Sequence, residues 1–304
     1  MSDAKIALLP DRGVVSVTGE DARKLLGGII TNDIDGLPLS PAAAGIPQAI
    51  HAGLLSPQGK ILFEFFVVAW GDGLLLDVAA ERAGDLVKRL TLYKLRAKAL
   101  IKDESALIAV VAVWDGAPPF SLPATHYVDP RDVGLGARWL PPRAMIEQLV
   151  AASARGETAF HAYHTHRIAL GIPEGGKDYE FGDAFPHEAN FDLLDGVSFE
   201  KGCYVGQEIV ARMEHRGTVR KRIVRVAGAS ELPATRPDVK IGDVVIGRLG
   251  SVAGRMGLAM LRLDRAIEAV DKGEPITADG IALEVDAAML ARQRKVMADK
   301  AASA

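Results

Sequence analysis

A chain of 304 residues, 49% hydrophobic and 25% charged, has the composition of an ordinary globular protein with room for two or three domains. Its single cysteine excludes an internal disulfide and any zinc or iron–sulfur site built from several cysteines of one chain. A formal net charge of −3 excludes a global nucleic-acid signature, and no apolar run reaches the roughly 18 residues of a membrane span.

The amino-terminus, Met1-Ser2-Asp3-Ala4-Lys5, lacks an apolar signal segment, so the expected location is the cytoplasm. Val14 to Val17 is predicted as a strand. Thr18-x-x-Asp21 resembles a capping box that opens a helix with Ala22, Leu25, Leu26 and Ile29 on one face. That helix is expected to end near Thr31-Asn32-Asp33, and Pro38, Pro41 and Pro47 mark a loop. Ala49 to Leu55 and Ile61 to Trp70 are predicted strands joined by the turn Ser56-Pro57-Gln58-Gly59. Leu74 to Val78 follows across Gly71-Asp72-Gly73, then a helix with Leu86, Val87, Leu90 and Tyr93 at helical spacing, then a strand from Ala106 to Trp114. This order argues for an antiparallel sheet with helices on one side.

Residues 115–141, rich in Pro and Gly, are expected to be loop, followed by helices at 142–154 and 157–170. Gly171, Pro173, Gly175, Gly176 and Gly182 make 171–183 irregular, and long irregular segments in compact proteins are often functional. From Ile223 the pattern changes to short strands at 223–226, 244–247, 257–263, 275–277 and 281–285, the signature of a small barrel or sandwich. The tail beyond Ala291 is polar and Ala-rich.

The only cysteine lies in Phe199-Glu200-Lys201-Gly202-Cys203-Tyr204-Val205-Gly206-Gln207-Glu208. A neighbouring cation, Lys201, and a helix start both favour a thiolate. The helix is predicted from Gly206 to His215, with Ile209, Val210 and Met213 on one face and Glu208 in its first turn. Gly202 and Gly206 permit backbone geometries, or a close approach, closed to other residues. A tight turn with a buried, inert cysteine is the other reading, and local spacing does not choose between them.

Lys201-Gly202-Cys203-Tyr204-x-Gly206-Gln207-Glu208, followed by Arg212 and Gly217, resembles the signature of the YgfZ family. These are folate-binding proteins associated with iron–sulfur enzyme maturation, and relatives of the glycine-cleavage T-protein, an aminomethyltransferase. The resemblance covers most of the chain. It takes in 12–22 with Thr31-Asn32-Asp33, Leu55-Ser56-Pro57-Gln58-Gly59-Lys60, 167–175, Pro186-His187-Glu188 and 257–262.

The resemblance implies an α+β, three-domain T-protein-like folate-binding fold with a C-terminal small β-barrel. The implied division is 1–47 plus 142–222 as the folate-binding core, 48–141 as a second α+β domain, 223–290 as the barrel and 291–304 as a tail. It implies tetrahydrofolate or a one-carbon derivative as ligand, and iron–sulfur proteins or assembly factors as partners; the missing apolar span and the net charge of −3 argue for no membrane and no sequence-specific nucleic acid. Cys203 and Lys201 would form the reactive pair. Glu188, Asp77, Asn32, Asp33, Tyr204, Gly206, Gln207, Glu208 and Arg212 would bind the cofactor. The chemistry suits Glu188, because pterin presents a ring N–H beside an exocyclic amino group and a carboxylate accepts both. Asp77 resembles the place of a folate-contacting asparagine, and could equally cap the following helix.

One departure matters. Where T-protein has a pair of aspartates, one of them the catalytic acid, this chain has Phe63-Glu64. Glu64 has a longer side chain and faces the opposite side of the strand from Phe63, which argues against aminomethyl transfer. Cys203 is left with three roles: nucleophile toward a folate-borne one-carbon unit, transient metal or sulfur ligand, or redox-sensitive thiol; the rival functions are a folate-dependent aminomethyltransferase or demethylase, and a non-catalytic adaptor whose basic stretch docks a partner. Arg212, Arg216, Arg220, Lys221, Arg222 and Arg225 form a basic stretch that could attract an anion, such as the folate glutamate tail, RNA or an acidic partner, and that is by default, for all but Arg212, a solvated linker before the barrel. His161 and His164 stand at i, i+3, without a nearby carboxylate or cysteine in sequence to complete a metal set, so no metal centre is expected.

Overall fold

The computed structural model describes residues 4–38, 49–116, 124–146, 158–216 and 219–302. Pro41 and Pro47 of the expected loop, the expected helix beyond residue 146, and Gly217 lie outside them. The chain divides into two compact units, Met1–Tyr163 with Asp192–Gln207, and His164–Phe191 with Glu208–Ala304.

The first unit contains β1 (Lys5–Leu8), β2 (Arg12–Thr18), α1 (Ala22–Gly27), β3 (Ala49–Leu55), β4 (Ile61–Trp70), β5 (Gly73–Ala79), α2 (Ala83–Lys94), β6 (Leu100–Asp103), β7 (Val111–Trp114), β8 (Thr125–Val128) and β9 (Ala137–Leu140). Two antiparallel sheets result, ordered β3-β4-β5-β2-β6 and β1-β7-β9-β8. The helix α3 (Thr158–Leu170) begins in this unit, and α4 (Gln207–Arg216) starts at its last residue.

Strand alternation sorts the larger sheet's two faces. Val15, Val17, Ala52, Leu54, Phe63, Phe65, Val67, Leu74, Leu76 and Val78 join Leu26 of α1 and Leu86 and Leu90 of α2 in one apolar core. Arg12, His51, Glu64, Phe66 and Asp77 have the opposite parity, and all five are also buried. The second face therefore buries charge.

The second unit is built around a closed six-stranded antiparallel barrel, ordered β10-β13-β12-β11-β14-β15. Its elements are β10 (Lys221–Gly228), β11 (Asp238–Ile241), β12 (Val244–Ala253), β13 (Met256–Arg262), α5 (Leu263–Lys272), β14 (Ile276–Ala278), β15 (Ile281–Val285) and α6 (Ala287–Ala302). Gly247 and Gly250 sit on β12 where a Cβ would meet the Met260 carbonyl at 2.0 Å and Asp178 Oδ1 at 2.7 Å.

Several local expectations change. Thr18 ends β2 instead of capping a helix. Asp21 precedes α1 but makes no side-chain cap; its carboxylate accepts the Lys98 backbone N–H at 2.7 Å. The expected strand at 106–114 shortens to β7, because Leu107 and Ile108 turn back on the Glu104 carbonyl. The supposed loop at 115–141 contains β8 and β9, and the expected helix at 142 opens as a 3-10 turn, Arg143–Met145. Part of the basic stretch is strand, not linker: Lys221, Arg222 and Arg225 lie on β10, with Arg222 buried and Arg225 paired to Asp286 at 2.6 Å, while Arg212, Arg220 and Lys221 are exposed.

Candidate functional site

In the first unit the cysteine loop is held from three sides. Lys201 Nζ donates to the carbonyls of Gly27 (2.9 Å), Ile30 (2.9 Å) and Asn32 (2.8 Å). These account for all three ammonium protons, so Lys201 pins the loop to the end of α1 instead of donating to the thiol. Burial lowers the ammonium's pKa, against the pull of Asp33 and Asp35. Tyr204 is buried beneath Lys201, whose Nζ lies 5.4 Å from the ring centre, and burial pushes the phenol up to about 12.

Gly206 has φ +82, and a Cβ there would lie 2.6 Å from the Ser56 carbonyl oxygen. Two sequence landmarks thus meet in one contact: the turn at 56–59 needs a bare backbone at 206. The turn is closed by Ser56 N–H to the Lys60 carbonyl and Gly59 N–H to the Ser56 carbonyl, both 2.8 Å. Asn32 uses both amide protons on the carbonyls of His51 (2.9 Å) and Asp195 (2.6 Å), and its Oδ1 accepts Asp33 N–H at 2.8 Å. Asn32 therefore staples the segment entering the loop to the sheet, while Asp33 is half-buried beside it.

Held in this way, Cys203 is exposed. It borders a surface cavity of about 450 Å³, lined also by Arg23, Lys24, Asp33, Asp35 and Lys201. The inert, buried reading of the cysteine is thereby corrected: pinning Lys201 and burying Tyr204 leaves Gly202 and Cys203 between them on the outside. Gln207 opens α4 half-buried.

The buried charged face lies in the same unit. Asp77 is fully buried; Oδ1 accepts Arg12 Nε at 2.6 Å, and Oδ2 accepts Tyr127 O–H at 2.7 Å and Arg138 at 2.8 Å. Both oxygens are engaged inside the protein, and the side chain caps no helix. Arg131 grips Asp129 at 2.9 Å and approaches Glu64 at 3.8 Å, and Glu64 Oε1 lies 3.0 Å from His51 Nε2. Arg131 and Arg138 also stack their guanidinium groups over Phe66, 4.7 and 4.5 Å from its centre. Burial would raise the Asp129 carboxyl, but Arg131 and Arg138 outweigh it and hold the pKa below its ordinary value. None of Arg12, Asp129, Arg131 or Arg138 stood out in the sequence. The available signal was a polar residue inside an apolar strand, as in Ala49-Ile50-His51-Ala52 or Leu75-Leu76-Asp77-Val78.

In the second unit Glu188 is half-buried, and its Oε2 accepts the Phe185 N–H at 2.9 Å. It lines a cavity of about 190 Å³ with Tyr179, Asp183, Lys221, Arg236, Arg248, Leu249 and Met260. The segment is clamped to β10: Arg222 donates to the His187 carbonyl (2.8 Å), Asn190 to the Ile223 carbonyl (2.7 Å), and Ile223 N–H to the Glu188 carbonyl (2.9 Å). The glycine-rich segment before it is ordered by Arg167, buried and bonded to Asp178 (2.8 Å), Ser251 Oγ (2.7 Å) and the Ile172 carbonyl (2.9 Å). A carboxylate does reach His164, with Glu174 at 3.6 Å, but Arg167 Nε donates to the same ring at 3.0 Å. A guanidinium in that place opposes a metal ion. Glu208 and Arg212 form an exposed i, i+4 pair at 2.8 Å on α4.

Comparison with known proteins completes the description. The CAF17 C-terminal β-barrel domain matches residues 220–291, the barrel described above. The iron–sulfur cluster assembly factor IBA57 homologue of Mycosarcoma maydis is 38% identical across 79% of this chain, which spans 60% of that relative's length. The mitochondrial iron–sulfur cluster assembly factor IBA57 of Homo sapiens is 35% identical, covering 83% of this chain and 76% of its own. The crystal structure of glycine cleavage system aminomethyltransferase T from Bartonella henselae superposes with a TM-score of 0.70, covering 94% of this chain and 85% of that one at 15% identity. The expected T-protein-like fold with a C-terminal barrel is the one observed. Both curated relatives are mitochondrial by name, which overturns the expected cytoplasmic location.

Proposed function

The chain belongs to the family of IBA57 iron–sulfur cluster assembly factors, and from that premise we propose that it serves iron–sulfur cluster assembly, binding tetrahydrofolate or a one-carbon derivative and acting through Cys203. The folate part is the YgfZ-like reading of the sequence. The observation that carries the proposal is the exposed thiol on a loop fixed by Lys201 and Gly206 at the edge of a cavity. One thiol does not complete a cluster site, so iron–sulfur proteins or assembly factors are its proposed partners.

The residues around Glu188 suit a folate in kind. The carboxylate can accept a pterin's paired N–H groups, Tyr179, Leu249 and Met260 offer ring contacts, and Lys221, Arg236 and Arg248 can meet a glutamate tail. Bound tetrahydrofolate supplies or accepts a one-carbon unit. The protein's part is to orient the pterin at Glu188 and to hold the thiol at a fixed place on its own unit. Asp77 and Asn32 support the first unit from within, since their polar groups are engaged there. Aminomethyl transfer is disfavoured because Glu64 is buried against His51 and Arg131.

Anaerobic calorimetric titration with tetrahydrofolate is expected to show saturable binding that weakens tenfold to a hundredfold, on the order of one to two charge-assisted hydrogen bonds, in Glu188→Ala. Absence of binding to wild type would remove the folate part. Cys203→Ala is expected to bind folate as wild type does, yet to leave iron–sulfur enzyme activities unrestored in cells lacking the native gene. Full restoration would remove the cysteine from the proposal.

A further inference from the structure

The stretch from Leu86 to Lys102 enters neither site described above. It holds six cations, Lys88, Arg89, Lys94, Arg96, Lys98 and Lys102, with no acid between Asp85 and Asp103. Lys88 pairs with Asp85 at 3.2 Å and Lys98 with Glu20 at 2.9 Å. Arg89, Lys94, Arg96 and Lys102 have no ion-pair partner among the described residues.

Three leucines stand among these charges in water: Leu92 is 71% exposed, Leu95 87% and Leu100 51%. Leu92 lies two positions after buried Leu90, about 200° round the helix, and so points away from the core. Leu95 ends α2 at φ 48°, ψ −107°. Glycine or asparagine is the ordinary residue after a helix at positive φ, and a leucine there is strained. Strain and apolar exposure thus coincide at one residue whose side chain supports nothing in the core. Leu100 opens β6, the outermost strand of its sheet, and α2 packs against β6. The helix end, the turn at 95–99 and the start of β6 therefore form one continuous surface.

We propose that this surface docks on an anionic lipid bilayer, with Leu92, Leu95 and Leu100 entering the interface and the four unpaired cations meeting lipid headgroups. Leucines interleaved with lysines and arginines are the composition of interfacial membrane contacts. A single-stranded nucleic acid would call for exposed stacking rings, and Tyr93 is half-buried. A second copy of the surface would set like charges against each other. The sequence reading excluded a membrane partner for want of an apolar span; among the described residues no helix is long and apolar enough to cross one, but surface docking does not need one.

The test is flotation of the full chain at low salt with vesicles of phosphatidylcholine, with and without phosphatidylglycerol, beside Leu95→Gly and the double variant Arg89→Glu, Arg96→Glu. Wild type is expected to float only with the anionic vesicles and to release as salt rises. Leu95→Gly is expected to melt at a higher temperature, since the strain is relieved, yet to bind at least about fivefold less. The charge variant is expected not to float. Three results would each overturn the proposal: no flotation of wild type, equal flotation of Leu95→Gly, or binding to polyglutamate or RNA without binding to vesicles.

Discussion

Asp77→Ala is expected to lower the free energy of unfolding by about 3–5 kcal/mol, the loss typical of breaking a buried ion pair from one side. The carboxylate is fully buried and accepts from Arg12, Tyr127 and Arg138 at 2.6–2.8 Å. Alanine would leave two guanidinium groups, both on nearly inaccessible side chains, without the anion that offsets their desolvation. Asp129 lies 3.4 Å from Arg138 and would recover part of the loss for that residue alone. Urea unfolding measures the effect: the midpoint should fall while the denaturant slope stays constant, because the same surface is exposed on unfolding. A loss under about 1 kcal/mol would mean that water enters the face and that the network is less dry than its burial indicates.

Arg167→Met should have an effect of similar size, about 3–5 kcal/mol, with a different local signature. Methionine keeps much of the volume but removes the donors to Asp178, Ser251 and the Ile172 carbonyl. Asp178 keeps the N–H groups of Glu174 and Ser251 but loses its cation. The segment from Ile172 to Ala184 has little regular secondary structure of its own and depends on these bonds, so its amides should exchange much faster than those of the barrel core. Uniform acceleration across both would show that Arg167 supports the whole unit instead of the segment. Arg167→Lys should recover only part of the stability, since an ammonium cannot reproduce the fork that reaches Asp178, Ser251, the Ile172 carbonyl and His164 together.

The fold was legible wherever the chain carried a strong period. The strands from Ala49 to Leu55 and Ile61 to Trp70 lie where alternation and the Ser56-Pro57-Gln58-Gly59 turn put them, and α2 follows its apolar stripe. The elements missed are short and poorly patterned. β6, with only Ile101 partly buried, and β8, with only Tyr127 fully buried, offer too few apolar positions to register a period of two. β2 was recognised as a strand, but its pairing with β5 and β6 was not, because partner choice depends on contacts some 60 to 90 residues away.

The candidate site was legible in part. The Gly206 requirement could be anticipated as a need for bare backbone, but not that the Ser56 turn imposes it. Lys201 was read as an electrostatic neighbour of the thiol because the two are two positions apart. In three dimensions its ammonium points at carbonyls 169 to 174 residues away. Glu208 and Arg212 were grouped with the ligand residues by the motif, and helical spacing pairs them with each other in solvent.

The sequence by itself determined the fold class, the barrel's approximate extent, the exclusion of a self-contained cysteine cluster and the loop that carries the thiol. The fold class rests on the family resemblance, and the others depend on composition, on periods of two and 3.6, and on turn residues, all of which act over a few neighbours. Tertiary structure alone decided that Cys203 is exposed, that Lys201 is a pin, and that Asp77 belongs to a buried ion network with Arg12 and Arg138. Burial and hydrogen-bond partnership are properties of groups brought together from distant parts of the chain. Whether a charge is a ligand, a pin or a core residue follows from the desolvation it meets there, which no local pattern encodes.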